Sequence, residues 1–288
     1  MSHPTSPEAE RDEQIRKIFN LSREEYLRMD ETEFRARFRE RAHHTLEIQT
    51  YSALYKQKTL SVNQTKTLEN LITIWRERGI PEDKPDFVAA NRIVNFAKQA
   101  AQGDFTDLSV YAPHSLNKEE QALFESVIRE RRSVRHWTEE EVPDSILDKI
   151  MAAASWAAHS CNLQSLRYVV IRESTSPGLF LGGDIEGGPV HILFLQDTRV
   201  YKANPYNPER NQLLDVGAAA QNAVLEAHAL GLGAVWLTFT EVVKKRLEAR
   251  LKLPEYIRAV TYIDLGWPDQ TPAPLLRLGL DETVLARI

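Results

Sequence analysis

Four arginines and a histidine fall within nine positions, 129 to 137, in the run RERRSVRHW. Guanidinium forks bind oxyanions with two parallel hydrogen bonds, and the Ser133 hydroxyl adds a neutral donor. Arg131, Arg132 and Arg135 follow a helical pattern and precede Trp137 and Thr138, so they sit at a helix end or in the loop after it. Two partners fit this charge pattern equally. One is a phosphate on a small molecule, and the other is the set of neighbouring carboxylates, Glu130, Glu139 and Glu140, on the surface. A nucleic-acid backbone does not fit, because the formal net charge is −5 and nucleic-acid binders are basic over a whole face.

Two further stretches carry polar chemistry. AAHSCNLQSLRYVVI (157–171) joins a helix end to an apolar run, a place where side chains converge on a ligand. Asn162 and Gln164 there offer amide donors and acceptors, suited to an imide-like ring edge or a polyol chain. Ordinary turn and cap roles are the plainer reading of the same two residues. His159 and Cys161 are too close along a loop to make a convincing catalytic pair. GLGAVWLTFTE (231–241) is a short strand after two glycines, whose end presents backbone N–H groups at Thr238 or Phe239. Arg277, in PLLRLGL, and the Gly266-Trp-Pro268 turn are weaker hints.

The elements that must position these residues fall into two parts, with the boundary near YAPHS (111–115). Residues 1–115 read as helices. Cap signals recur at Ser22…Glu25, Asp30…Glu33 and Ser61…Gln64. LENLITIWRERG and FVAANRIVNFAKQAAQG carry helical apolar spacing, the first closed by Gly79 and Pro81. The Arg- and Glu-rich FRARFRERAHH reads as a solvated helix face of mixed charge. Residues 116–288 alternate helices with β-branched strands. KEEQALFESVIRERR, DSILDKIMAAASWAAH and QLLDVGAAAQNAVLEAHALG read as helices; LRYVVIRE, VHILFLQD, AVWLTFT and RAVTYIDLG read as strands. The class expected is α+β, layered, with an N-terminal all-helical extension.

The 288 residues are 42% hydrophobic and 27% charged, enough to bury a proper core. No run reaches the roughly 18 apolar residues of a membrane helix. The start, MSHPTSPEAERDEQIRK, has no signal-peptide core. Cys161 is the single cysteine, so no internal disulfide forms and no metal site is expected. The sequons at Asn20 and Asn63 are read as chance matches, and the location expected is cytoplasmic.

Taken together, RRSVRHW, AAHSCNLQ, DVGAAAQNAVLEAHALGLGAVWL, YIDLGWP and Arg277 resemble, in order and wording, the flavin-dependent nitroreductase family over about residues 120–288. The resemblance implies an α/β/α sandwich, an intertwined homodimer and FMN at the subunit interface. It implies that Arg131, Arg132, Ser133 and Arg277 hold the FMN phosphate and ribityl chain, with Arg135 near the pyrimidine edge. Asn162 and Gln164 would flank the ribityl and ring, Ala158 and His159 would stand where a Pro-Ser pair usually packs, and Leu237, Thr238 and Phe239 would match the segment approaching flavin N5. No side chain acts as a nucleophile, since flavin N5 carries the chemistry.

The implied function is an oxidoreductase in which NADH or NADPH reduces FMN, and a small planar acceptor such as a nitroaromatic or quinone is then reduced. The departures at Ala158-His159, Ser165-Leu166 and Thr238-Phe239 keep two alternatives open. One is a specialised branch (dehalogenase, dehydrogenase or flavin-fragmenting enzyme). The other is a silent helical scaffold that lost the flavin. His159 and Phe239 are expected to crowd the space where substrates stack.

Overall fold

The computed structural model describes residue 19 and residues 21–288, apart from 57, 59 and 186. The N-terminal stretch 1–17 and the sequon residue Asn20 lie outside the described residues. The chain forms two compact units, each with its own core.

The first unit gathers the chain up to His114 together with Ala158–Ser165 and Asp197–Asp215. Its helices are α1 (Arg23–Arg28), α2 (Glu31–Arg41), α3 (Ile48–Lys56), α4 (Lys66–Glu77) and α5 (Pro85–Ala101). The expected caps explain where the first two begin. Ser22 and Glu25 form a capping box, and the Asp30 carboxylate accepts from the Glu33 N–H. Ser61 instead starts a 3-10 turn, Val62–Thr65, and its hydroxyl accepts from Asn63 N. Helix α2 runs through one π-helical segment, Ala42–Glu47, into α3. An aromatic cluster holds the unit together: Trp75 lies 4.8 Å from Phe38 and 5.4 Å from Phe87, centroid to centroid.

Helix α2 corrects the expectation of a solvated face. Phe34, Ala36, Phe38, Arg39 and Glu40 are all buried. Phe34 and Phe38, at i and i+4, set a seam into the aromatic cluster. Arg39 and Glu40 tolerate burial because each finds a partner of opposite charge. Arg39 meets Asp86, and Glu40 meets Arg41, with the His44 imidazole also within 3.1 Å.

The second unit comprises Ser115–Ala157, Leu166–Gln196 and Val216–Ile288. It is built on a four-stranded sheet of order β1-β2-β4-β3, with β1 (Leu166–Arg172), β2 (Val190–Asp197), β3 (Gly233–Leu237) and β4 (Ile257–Gly266). The pairs β1–β2 and β3–β4 are antiparallel. Helices α7 (Asp144–Ser155) and α8 (Glu209–Ala229) bring Ile150, Ala220 and Val224 to the face lined by Ile192, Phe194 and Ile263. Helix α9 (Glu241–Leu251) brings Val243 and Leu247 to the face lined by Leu193, Leu195 and Tyr262. Alternate residues of β2 and β4 thus serve two cores, which is why β2 reads as a continuous apolar run at Ile192–Leu195. The remaining helices are α6 (Lys118–Glu130), capped by an Asn117 box, and the short α10 (Leu280–Thr283). The fold is α+β with a helical N-terminal part, as expected. Strand β3 ends earlier than its apolar run, because Thr240 turns the chain to cap α9.

Candidate functional site

The arginine run lies in the second unit, just after α6. Its backbone is laid along the sheet: Ser133 makes a parallel bridge with Ala234, and Val134 N donates to Ala234 O at 3.2 Å. Gly233 makes this approach possible. A Cβ there would stand 2.7 Å from the Cβ of Val134. On the far side the Trp137 indole N–H donates to Gly233 O at 2.8 Å, and Thr138 N donates to Trp267 O at 2.9 Å. The Gly-x-Gly turn and the Gly266-Trp-Pro268 turn are therefore the two walls that fix the arginine segment.

What the segment presents is positive charge without carboxylates. Among the described residues, Arg131, Arg132, Arg135 and Arg277 make no ion pair, whereas Arg129 pairs with Glu125 at 2.6 Å. Burial pulls the Arg131 guanidinium below its ordinary pKa, and the charges of Arg277 and Arg132 push the same way. The Arg131 guanidinium thus feels the charge of both Arg132 and Arg277. Arg132 is steered by donation to the carbonyls of Arg129 and Arg131, at 2.8 and 3.1 Å. Arg135 is held through its backbone N–H, which donates to Gln270 Oε1 at 2.9 Å. Reading the sequence missed His228, in the last turn of α8. Burial first lowers its pKa, Glu130 opposes this, and the charges of Arg131 and Arg132 lower it further. No sequence signal singles it out, because its position comes only from the helix meeting the arginine segment.

The amide loop lies in the first unit. Cys161, Asn162 and Gln164 all have left-handed backbone, with φ of 54°, 52° and 55°. Outside glycine this conformation costs on the order of 1 kcal/mol per residue, least for Asn. Several groups hold it. Ser160 donates from both N–H and hydroxyl to the Asp215 carboxylate, at 3.0 and 2.9 Å. Asn204 Nδ2 donates to Cys161 Sγ at 3.4 Å, and Tyr201 OH donates to Ser165 Oγ at 2.8 Å. Arg39 donates to the carbonyls of Asn162 (3.3 Å) and Leu163 (2.8 Å). The Gln164 amide donates to Asn162 Oδ1 at 2.9 Å, which joins the two amides as one polar group. Leu163, between them, is fully buried beside Ala36, Val200, Tyr201 and Ala203. Ala158 and His159 lead into this loop from the end of the preceding segment.

The end of β3 is the third stretch, again in the second unit. The Leu237 carbonyl accepts from the Thr261 hydroxyl, and the Trp236 indole also donates to that hydroxyl at 2.7 Å. Thr238 is exposed. The half-buried Phe239 ring stacks on Tyr262 at 4.9 Å and 20°, packing with Val243 and Leu247 of the core. Part of the ring's surface is thus committed to Tyr262.

The structure therefore brings Arg131, Arg132, Ser133, Arg135, Leu237, Thr238, Phe239 and Arg277 into one unit, and Ala158, His159, Asn162 and Gln164 into the other. Among the described residues no group of His, Cys, Asp or Glu is arranged to hold a metal, and no helix is long and apolar enough to cross a membrane.

Comparison with known proteins is informative for the second part of the chain. The sequence pattern of the nitroreductase family matches residues 128–179 and 179–267. A Methanothermobacter thermautotrophicus protein named as an NADH dehydrogenase/NAD(P)H nitroreductase is 31% identical over 153 residues, 50% of this chain and 77% of that protein. The FMN reductase [NAD(P)H] of Bacillus subtilis is 27% identical over 169 residues, 52% of this chain and 68% of the relative. A crystal structure from Desulfovibrio desulfuricans, described as a nitroreductase in complex with FMN, superposes with a TM-score of 0.51 at 30% identity. It covers 60% of this chain and 99% of its own.

Proposed function

The chain belongs to the nitroreductase family, and from that premise we propose that it is an FMN-dependent NAD(P)H oxidoreductase acting on small planar acceptors such as nitroaromatics or quinones. The observation that carries this reading is a set of guanidinium groups without a carboxylate partner among the described residues, Arg131, Arg132 and Arg277, the first of which feels the charges of the other two. Clustered unpaired cations raise one another's energy, and an oxyanion relieves them. A phosphate monoester has the charge and the acceptor count for three such groups.

When bound, FMN would supply the hydride and electron chemistry between a nicotinamide donor and the acceptor. The chain's own residues bind, orient and tune. Arg131, Arg132, Ser133 and Arg277 hold the phosphate end. Asn162 and Gln164, prelinked through their side-chain amides, meet the polyol and ring edge. Arg135 supplies positive charge to the pyrimidine edge. Leu237, Thr238 and Phe239 would offer backbone N–H groups to the flavin ring, and Ala158 and His159 would line it. No side chain is required as a nucleophile.

Assembly as a homodimer with FMN at the interface follows the same reading. It is supported by α6, which buries none of its residues and exposes Leu123, Phe124 and Ile128. A cytoplasmic setting suits both the nicotinamide donors and a single free cysteine. The test is an absorbance spectrum of the purified protein, then anaerobic titration with NADH and with NADPH. Flavin absorbance that one donor bleaches is expected. Colourless protein that neither binds added FMN nor changes its fluorescence overturns the proposal. A rate screen over quinones and nitroarenes then separates a broad reductase, which turns over both classes, from a specialised one.

A further inference from the structure

Helices α1 to α5 lie before the matched family region, which begins at residue 128. Yet their unit contains the amide loop, Ala158–Ser165, as part of one compact body. The contact that joins them is unusual in kind. Arg39 is 9% exposed, and it lies one turn beyond Ala36 on the same face of α2. Ala36 has only a methyl group, which lets the loop come close, and the buried Leu163 side chain packs beside it. Arg39 then spends its fork on backbone. Nη2 donates to Leu163 O at 2.8 Å and Nε to Asn162 O at 3.3 Å, while Nη1 rests on Asp86 Oδ2 at 3.2 Å. Asp86 is in turn gripped by Arg35, at 2.8 and 3.0 Å. The carboxylate aims the guanidinium, and the guanidinium fixes two consecutive carbonyls.

Those two carbonyls sit within the only segment of the described chain where three non-glycine residues take left-handed backbone inside four positions. Such a conformation persists where its surroundings over-determine it. We propose that Arg39 is a positioning residue for flavin binding: from the helical unit it clamps the backbone that presents Asn162 and Gln164 in their strained geometry. The inference rests on the reading that this loop meets FMN. It gives Arg39 a definite role, that of fixing the backbone of the amide loop.

The experiment compares Arg39→Lys with Arg35→Ala in the full chain. Lysine keeps the charge beside Asp86 but lacks a planar fork that can reach two carbonyls at once. Arg35→Ala removes a partner of the same carboxylate without touching the loop. FMN titration by flavin fluorescence should show Arg39→Lys about tenfold weaker and Arg35→Ala within twofold of wild type, even where both lower the melting temperature of the apoprotein. Adding Cys161→Gly to Arg39→Lys should recover most of the lost affinity, since glycine takes φ near 54° without strain. A purely structural arginine predicts no such rescue. FMN affinity unchanged in Arg39→Lys, or weakened equally in Arg35→Ala, or not rescued by Cys161→Gly, overturns the inference. If Arg39→Lys does not fold, Asp86→Asn decides: about threefold weaker FMN supports the clamp, and unchanged affinity overturns it. Wild-type protein that binds no FMN overturns the flavin reading itself, an outcome distinct from all of these.

Discussion

The two units fix their candidate site segments by opposite means. In the sheet unit the arginine segment is held by backbone: a bridge to β3, a glycine where nothing larger fits, and an indole on a carbonyl. Its side chains are left unspent for a ligand. In the helical unit the amide loop is held by side chains that reach its backbone, with Asp215 on Ser160 and Arg39 on Asn162 and Leu163. There the loop backbone is strained and depends on partners distant in sequence. The contrast suggests that the first segment can tolerate loss of its charges without loss of fold, whereas the second couples cofactor affinity to the stability of its unit.

The sharpest way to break this comparison is the double change Arg131→Ala, Arg277→Ala. Each removes charge-assisted hydrogen bonds worth about 1.5–3 kcal/mol. FMN affinity should therefore fall roughly 100-fold or more, read by fluorescence titration. The apoprotein should be no less stable to urea than wild type, because the pair repel one another and make no ion pair among the described residues. A large stability loss would place these arginines in the framework and end the distinction. The counterpart in the helical unit is Leu163→Ala. Leu163 is fully buried, and its truncation should cost about 2–5 kcal/mol in chemical denaturation. Here weaker FMN binding should accompany the stability loss.

This difference also explains what was legible in the sequence. The four strands and the main helices could be read because apolar runs and caps are local signals, as with Asn117 and Glu120 or the apolar stretch in VHILFLQD. The arginine segment could be read because it is a compact charge pattern held by neighbouring turns. Arg39 could not. In FRARFRERAHH it looks like any other surface charge, and only its meeting with Asp86 and with two carbonyls more than 120 residues away makes burial tolerable. His228 escaped notice for the same reason. The grouping of Ala158–Ser165 and Asp197–Asp215 with the N-terminal helices is likewise a tertiary fact with no local trace.

A smaller effect sharpens the sheet-unit side. Gly233→Ala places a Cβ 2.7 Å from the branched carbon of Val134, which has no flexible end to swing away. The overpacking should cost about 1–3 kcal/mol, measured by urea denaturation. It should also weaken FMN by displacing the arginine backbone. Weaker FMN with no stability loss would show that the glycine serves the ligand directly and not the approach of the two chains.

The mildest contrast is in pH dependence. Each unit buries a carboxylate, Asp86 between two guanidinium groups and Asp264 against the His191 imidazole. A guanidinium does not titrate in the accessible range, so the Arg39 anchor stays charged throughout. Asp264 does titrate. Its side chain is fully buried, and loss of water raises its pKa by more than the His191 hydrogen bond and charge lower it. Glu173 adds to the rise, and Tyr262 shares this face of the sheet. The folded protein therefore holds the Asp264 proton to higher pH than the unfolded chain, whose carboxyl titrates near about 3.9. With more protons bound in the folded state, this contribution to stability falls as pH rises from about 4 to the folded pKa, then levels off. The slope is at most about 1.4 kcal/mol per pH unit. Urea midpoints of wild type and Asp264→Asn, taken across this window, isolate the term, because the other carboxylates are common to both proteins. The stability of wild type relative to Asp264→Asn should decline with pH. A relative stability that climbs instead would mean that the ionised Asp264 is stabilised by His191 more than burial disfavours it.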